Sequence, residues 1–410
     1  GSYKEGEIIP ITATFSELVN VTGTPQLTLE TGNSDAVVDY SSGSGSNTLT
    51  FNYTVTAGHT SSDLDYLTPN ALSYPIPNPG DPVYKSTSGD AHDVTIIGNY
   101  AYIAATASGL AVIDISDPTN PQDPVYKDTN GNAWDVDIYE NYAYVATGTS
   151  GLAIINITDP NNPGNPIYMD TSGKAYGVTV VGDYAYVADY TSGLAIINVS
   201  DPTNPGNPVY MDTSGSALDI IVVGNYAYIA DRTSGLSIIN ISDPANPGNP
   251  IYMDTSGEAY GVTVVGDYAY IADGNSGLAI INISNPANPG NPVYMNTTGT
   301  SYKVSIVGNY AYIADADSLA IINVSDPTKP GNPIYKETNG IDQGLSVIGN
   351  YAYVSVWASG LAIIPLNNTQ IQDSAENDAI LTLAKPGETN SLGANKSLII
   401  DTTLPTISSV

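Results

Sequence analysis

The chain has 410 residues, with 41 acidic side chains against 10 basic ones and a formal charge of −31. A surface of that sign repels phosphate backbones and anionic membranes, which excludes nucleic-acid partners and argues against direct membrane insertion. Cysteine is absent and histidine occurs twice, so disulfides, thiolate catalysis, Cys-based zinc sites and histidine metal clusters are excluded as well.

Glycine (39), proline (28) and tyrosine (31) are abundant and only 12% of residues are charged, a profile of short strands and tight turns. No apolar stretch approaches the ~18 residues of a membrane-spanning helix. No leader peptide is visible after Gly1-Ser2, and the chain reads as part of a longer polypeptide.

In chain order, apolar and polar residues alternate over Ile8 to Phe15, Gln26 to Glu30 and Thr48 to Val55, which predicts strands of a small β-domain. A short strand follows at Pro82 to Thr87. The triplet Tyr-Ala-Tyr then starts at Tyr100, Tyr142, Tyr184, Tyr226, Tyr268, Tyr310 and Tyr351, a period of 42 residues with one interval of 41. The short interval falls where Ser318-Leu319 lacks the glycine of Ser276-Gly277-Leu278. A fixed period of this size signals a solenoid or a propeller.

One unit runs from Tyr176 to Thr213: a strand from Val178 to Val181, a two-residue turn at Gly182-Asp183, and a strand from Tyr184 to Ala188. A turn at Ser192-Gly193, a strand from Leu194 to Val199, a Pro-rich loop from Asp201 to Pro208 and a strand from Val209 complete it. Four strands at this spacing make one propeller blade, and no helical period intervenes. The first three strands occur seven times. The fourth also occurs seven times, but its first copy precedes every Tyr-Ala-Tyr, so the strand near Pro82 is expected to complete the last blade and latch the ring. Beyond Leu366 the repeat ends, and Ile380 to Leu383 and Ser397 to Ile400 read as two more strands of the small domain.

The run Gly193-Leu194-Ala195-Ile196-Ile197-Asn198-Val199-Ser200-Asp201-Pro202, after Tyr184-Ala185-Tyr186-Val187-Ala188-Asp189, resembles the LVIVD repeat of bacterial and archaeal surface proteins. The resemblance extends from near Asp81 to Leu366; it implies a propeller and surface exposure, and no defined chemistry. The flanking pieces resemble one Ig-like domain of large bacterial surface adhesins. The resemblance rests on Tyr3-Lys4-Glu5-Gly6-Glu7, Thr14-Phe15-Ser16-Glu17, Gly23-Thr24-Pro25-Gln26-Leu27-Thr28-Leu29 and Thr48-Leu49-Thr50-Phe51 with Tyr53-Thr54-Val55. The second piece carries Ile371-Gln372-Asp373, Asn377-Asp378-Ala379 and Asp401-Thr402-Thr403.

The expected fold is therefore all-β: a seven-bladed β-propeller (79–366) inserted into a split Ig-like β-sandwich (1–78 and 367–410). Two small domains flanking the ring are the alternative. Insertion is physically inexpensive, because a latched ring brings its two ends together. The small domain would join at a Pro-rich loop, which leaves the opposite propeller face free.

That free face gathers the unusual residues. Just before the first strand of each blade stand His92, Trp134, Tyr176, Leu218, Tyr260, Tyr302 and Gln343, followed by Asp93, Asp135, Gly177, Asp219, Gly261, Lys303 and Gly344. The turn after the second strand holds Asp189-Tyr190, Asp231-Arg232, Asp273-Gly274, Asp315 and Trp357. Aromatic rings and carboxylates on a concave rim suit a glycan or protein ligand through stacking and directed hydrogen bonds; the bland reading is that the rings plug the channel mouth. The repeated tyrosines read as packing between blades.

Calcium needs about six to eight oxygen ligands, and Glu5, Asp63, Asp65, Asp373, Asn377 and Asp401 near strand ends of the small domain are the candidates. No nucleophile elbow or phosphate loop occurs, so the chain reads as non-enzymatic. The expectation is an extracellular, cell-surface binding or adhesion module, partnered by a surface glycan or protein and by adjacent Ig-like domains of the same polypeptide. A structural spacer and a calcium-dependent hydrolase, with Asp93, Asp135 and Asp219 as its acids, are the alternatives.

Overall fold

The computed structural model describes residues 2–32, 35–67, 71–73, 77, 79–366, 370–372, 383, 386, 388–389, 391–392 and 399–401. The chain divides into two units, one formed by 1–78 with 367–410 and the other by 79–366.

In the first unit a six-stranded sheet runs in the order Gln370–Gln372, Ile8–Thr22, Ser46–Thr54, Ala36–Ser42, Gln26–Leu29 and Leu72–Ser73, with antiparallel pairs. A second sheet joins Ser2–Tyr3, Ile399–Asp401 and Thr60–Ser61. Both chain pieces thus share both sheets. The period of two is plain in the longest strand, where Ile9 and Ile11 are buried while Ile8 is exposed. They join Leu27, Leu29, Leu49, Phe51 and Leu64 in one core. The strand at Ala36–Ser42 has no counterpart in the sequence reading, and 380–382 and 397–398 lie outside the described residues.

The second unit consists of seven four-stranded antiparallel stacks. Blade 3 comprises Gly177–Val181, Tyr184–Ala188, Leu194–Asn198 and Val209–Met211, in sequential order. Blades 1, 2, 4 and 5 repeat it from Asp93, Asp135, Asp219 and Gly261. Blades 6 and 7 are joined into one six-stranded sheet, because a single strand, Ile334–Ile348, is the outer strand of blade 6 and the inner strand of blade 7. The innermost strands touch one another in closed order, blade 7 against blade 1 included. The ring is sealed by Val83–Lys85, which pairs antiparallel with Gly360–Pro365 of blade 7 in the register Val83↔Ile363 and Lys85↔Leu361.

The second and third strands are buried on both faces because blades stack face to face. Tyr144, Leu152 and Ile154 of blade 2 form one core with Val178, Ala185, Val187 and Ile197 of blade 3. Each tyrosine fits because its neighbour offers alanine. Burying an aliphatic side chain here is worth about 1.5–3 kcal/mol.

The turn glycine of Ser-Gly-Leu is fixed by geometry. Gly193 has φ +71°, and a Cβ there would lie 2.5 Å from the Met211 carbonyl oxygen. In blade 6, which lacks this glycine, the second and third strands run together as Tyr310–Asn323.

Candidate functional site

One equivalent position near the start of each blade's inner segment faces the ring axis. Around the ring it holds Asp93, Asp135, Gly177, Asp219, Gly261, Lys303 and Gly344. Lys303 Nζ lies 3.0 Å from Asp219, 3.6 Å from Asp93 and 3.8 Å from Asp135. The glycines make room for this layer. A Cβ at Gly177 would sit 2.7 Å from the Leu218 carbonyl, one at Gly261 2.6 Å from the Tyr302 carbonyl, and one at Gly344 2.5 Å from the Asp93 Cα.

Each glycine therefore lets the next blade's charged residue close in. Two of the acids also satisfy the strand beyond: Asp135 accepts the Val178 N–H at 2.7 Å and Asp219 the Val262 N–H at 2.9 Å.

One ammonium faces three carboxyls. Burial works against the Lys303 charge, yet Asp135, Asp219 and Asp93 together hold its ammonium well above the ordinary lysine value. Burial pushes the Asp135 carboxyl up against the pull of Lys303, and the nearby Asp93 raises it further. Burial also raises Asp219. One step along the channel, burial raises Asp137 to about 6, although the Val180 N–H bonds to it at 2.7 Å.

On one side of this layer lies a cavity of about 210 Å³, lined by His92, Trp134, Tyr176, Leu218, Tyr260, Tyr302 and Gln343 above Asp93, Asp135, Asp219 and Lys303. On the other, a second cavity of about 230 Å³ is lined by Thr95, Asp137, Thr179, Thr263, Ser305 and Ser346 along the inner strands. The first is the mouth that the rim residues predict.

The rim rings form a continuous arc. Centroids are 6.5 Å apart between Trp357 and His92, 4.4 Å between His92 and Trp134, 5.0 Å between Trp134 and Tyr176 and 5.3 Å between Tyr176 and Tyr190. Tyr260 and Tyr302 pair at 5.2 Å. Burial holds the His92 imidazole down at about 4, so it is neutral at pH 7. Glu258 accepts from the Tyr260 hydroxyl at 2.7 Å and from Arg232 Nε at 3.0 Å, which fixes both on the rim.

The backbone is strained at the rim. Tyr190 (φ +53°) and Arg232 (φ +48°), like Thr106 (φ +35°) and Ala316 (φ +55°), occupy a left-handed position that Gly148 and Gly274 fill in other blades. A side chain there costs about 1–2 kcal/mol relative to the relaxed backbone. Such strain is a pointer to function when the side chain it presents faces a cavity.

Four predicted rim acids are not on the surface. Asp189, Asp231, Asp273 and Asp315 are fully buried. Asp189 accepts from Thr171 Oγ1 at 2.7 Å and from the Gly173 N–H at 2.8 Å; Asp231, Asp273 and Asp315 repeat the clamp with Thr213, Thr255 and Thr297. They hold the loop into each inner strand and present nothing to a ligand.

Blade 7 makes the clamp differently. Val356 stands where the Asp should be, and Asp342, where blades 1 to 5 have alanine, bonds to Thr338 at 2.6 Å. Its second oxygen is buried without a partner, and burial raises the carboxyl to about 8.

His92, Trp134, Tyr176, Tyr260 and Tyr302 converge on the mouth, with Tyr190, Arg232 and Trp357 beside them. The axial acids and Lys303, seen in the sequence as a ring position, are the residues whose convergence sequence reasoning did not give. Of the calcium candidates, Glu5 and Asp63 are exposed, Asp65 bonds the Tyr66 N–H at 2.9 Å, Asp401 pairs through its backbone with Thr60, and Asp373 and Asn377 lie outside the described residues. Among the described residues no group of three or more His, Asp or Glu side chains is placed to hold a metal ion. No helix among them is long and apolar enough to cross a membrane.

A closed ring of seven blades, the last completed by a strand that precedes the first, defines the repeat β-propeller class. The LVIVD repeat model matches residues 88–123, 130–171, 172–213, 214–255, 256–297, 298–332 and 339–368, more than half of the chain, and the chain belongs to this repeat family. No curated protein matches the chain. Among solved structures, U3-55K is similar with a TM-score of 0.58 and 7% identity, over 71% of this chain and 98% of that one. The computationally designed Ika8 protein is similar with a TM-score of 0.50 and 7% identity, over 69% and 98% respectively. At such identity the likeness bears on the fold alone.

Proposed function

We propose that the chain is an extracellular, cell-surface binding module that engages a glycan or protein ligand on the propeller face carrying Trp134 and Trp357. The observation that carries this reading is the arc of aromatic rings, from Trp357 through His92, Trp134 and Tyr176 to Tyr190, bordering an open cavity. Neighbouring rings, 4.4–6.5 Å apart between centroids and set edge-on or tilted, make an aromatic border suited to sugars or apolar side chains.

Residues 1–78 and 367–410 would form an Ig-like sandwich of the adhesin type, in line with other such domains of the same polypeptide. The two sheets built from both chain pieces support this reading. A hydrolytic reading is weaker, because the Lys303 ammonium already stands among the acids such a centre would use.

The test is a glycan and peptide array probed with the wild type and with Trp134→Ala and Trp357→Ala. Binding should be present in the wild type and fall at least tenfold in each variant. A ligand bound equally well by both variants would move the site elsewhere.

A further inference from the structure

The axial mouth joins two features that favour the same chemistry. Its floor sets three carboxyls against a single ammonium, and that ammonium is itself an alkyl cation held 3.0–3.8 Å from each of them. Its wall is formed by the rings of Trp134, Tyr176, Tyr260 and Tyr302. Ring faces attract cations, most strongly where water is excluded.

Resting on the binding role proposed above, we infer that the group received by this mouth is an organic ammonium, methylated or primary, on a short stem. The cavity of about 210 Å³ has room for a trimethylammonium head and a few further atoms.

The surrounding charges leave that place to the ligand. His92 is neutral, since burial holds it at about 4. Arg232 is engaged by Glu258 on the rim. Lys303 is the cation on the floor and is outnumbered there. A neutral sugar would stack on the rings but leave the excess acid uncompensated, and a bare metal ion would gain nothing from the rings.

The experiment uses choline and its neutral carbon isostere, 3,3-dimethylbutan-1-ol. In the wild-type protein choline should bind saturably by titration calorimetry, and the isostere should need at least a tenfold higher concentration. Asp219→Asn should weaken choline several-fold and leave the isostere unchanged. If that variant does not fold, the wild-type contrast decides alone.

Glucosamine against N-acetylglucosamine, and Nα-acetyllysine amide against its Nε-acetylated form, repeat the contrast on two carriers, and the pair showing it names the source. Equal response to choline and its isostere, or none to choline, overturns the inference. If choline is inert while Trp134-dependent array binding persists, only this inference falls. If neither ligand depends on Trp134, the binding role falls with it.

Discussion

Between neighbouring blades the same side chains return at every step. Tyr102, Tyr144, Tyr186, Tyr228 and Tyr270 each share a core with the following blade's alanine, Ala143, Ala185, Ala227, Ala269 or Ala311. Along the axis nothing returns in this way: seven equivalent positions carry three aspartates, three glycines and one lysine. The periodic layer answers the same packing problem seven times, so each copy is interchangeable. The axial layer solves one problem once, through side chains that meet only because the ring closes.

If this division is right, the largest effects belong to the periodic layer and are equal from blade to blade. Ile155 and Ile239 are both fully buried, in the cores between blades 1 and 2 and between blades 3 and 4. Each truncated to alanine should cost about 2–5 kcal/mol, with the two values close together. Chemical denaturation measures both, and a large disparity would show that the repeats are not equivalent.

The second test concerns blade 7, which builds the clamp of blades 3 to 6 from a different aspartate. The Asp342 carboxyl stands at about 8 in the fold against 3.8 in the free chain. A raised carboxyl stabilises below the unfolded value and loses that contribution as pH climbs through the folded one. Wild-type stability should therefore fall between about pH 4 and pH 8. Asp342→Asn should match the wild type at pH 4 and exceed it at pH 9, on the order of 1–2 kcal/mol. Thermal unfolding at both pH values checks this; the nearby Asp317 and Asp315 charges also raise the Asp342 carboxyl and so add to the difference.

The smallest effect separates strain that serves a surface from strain that does not. Glu140 has φ +53° in a hairpin where the six other blades have glycine at φ near +57°. Glu140→Gly should gain about 0.5–1 kcal/mol with ligand binding unchanged. Tyr190→Gly relieves the same strain at the rim, so it should hold or gain stability while weakening binding. Equal binding by the two variants would remove Tyr190 from the site.

The periodic layer was open to sequence reasoning because its signal is repetition itself. Tyr-Ala-Tyr, the turn glycine and the displaced outer strand led to the blade count and to the latch at Val83–Lys85. The rim aromatics were legible as departures from the repeat. The buried aspartates were misplaced because an acid beside a turn suggests the surface. Their recurrence in blades 3 to 6, each with a threonine such as Thr171, carried the opposite message.

The Lys303 cluster was not legible, since Asp219 and Lys303 lie 84 residues apart and meet only across the axis. Fusion of the two strands in blade 6 was visible only as one missing residue.

The pairing of Val83 with Ile363 has a consequence for how the molecule is made. As the polypeptide leaves the ribosome, blades can assemble one after another, each on the face of its predecessor. The ring's first strand has no partner until the last sheet emerges. Completion is thus a single long-range event once blade 7 has been made, and its entropic cost grows only logarithmically with the chain enclosed. Until that event the nascent ring carries two exposed edges, so the interval before closure is when aggregation threatens most.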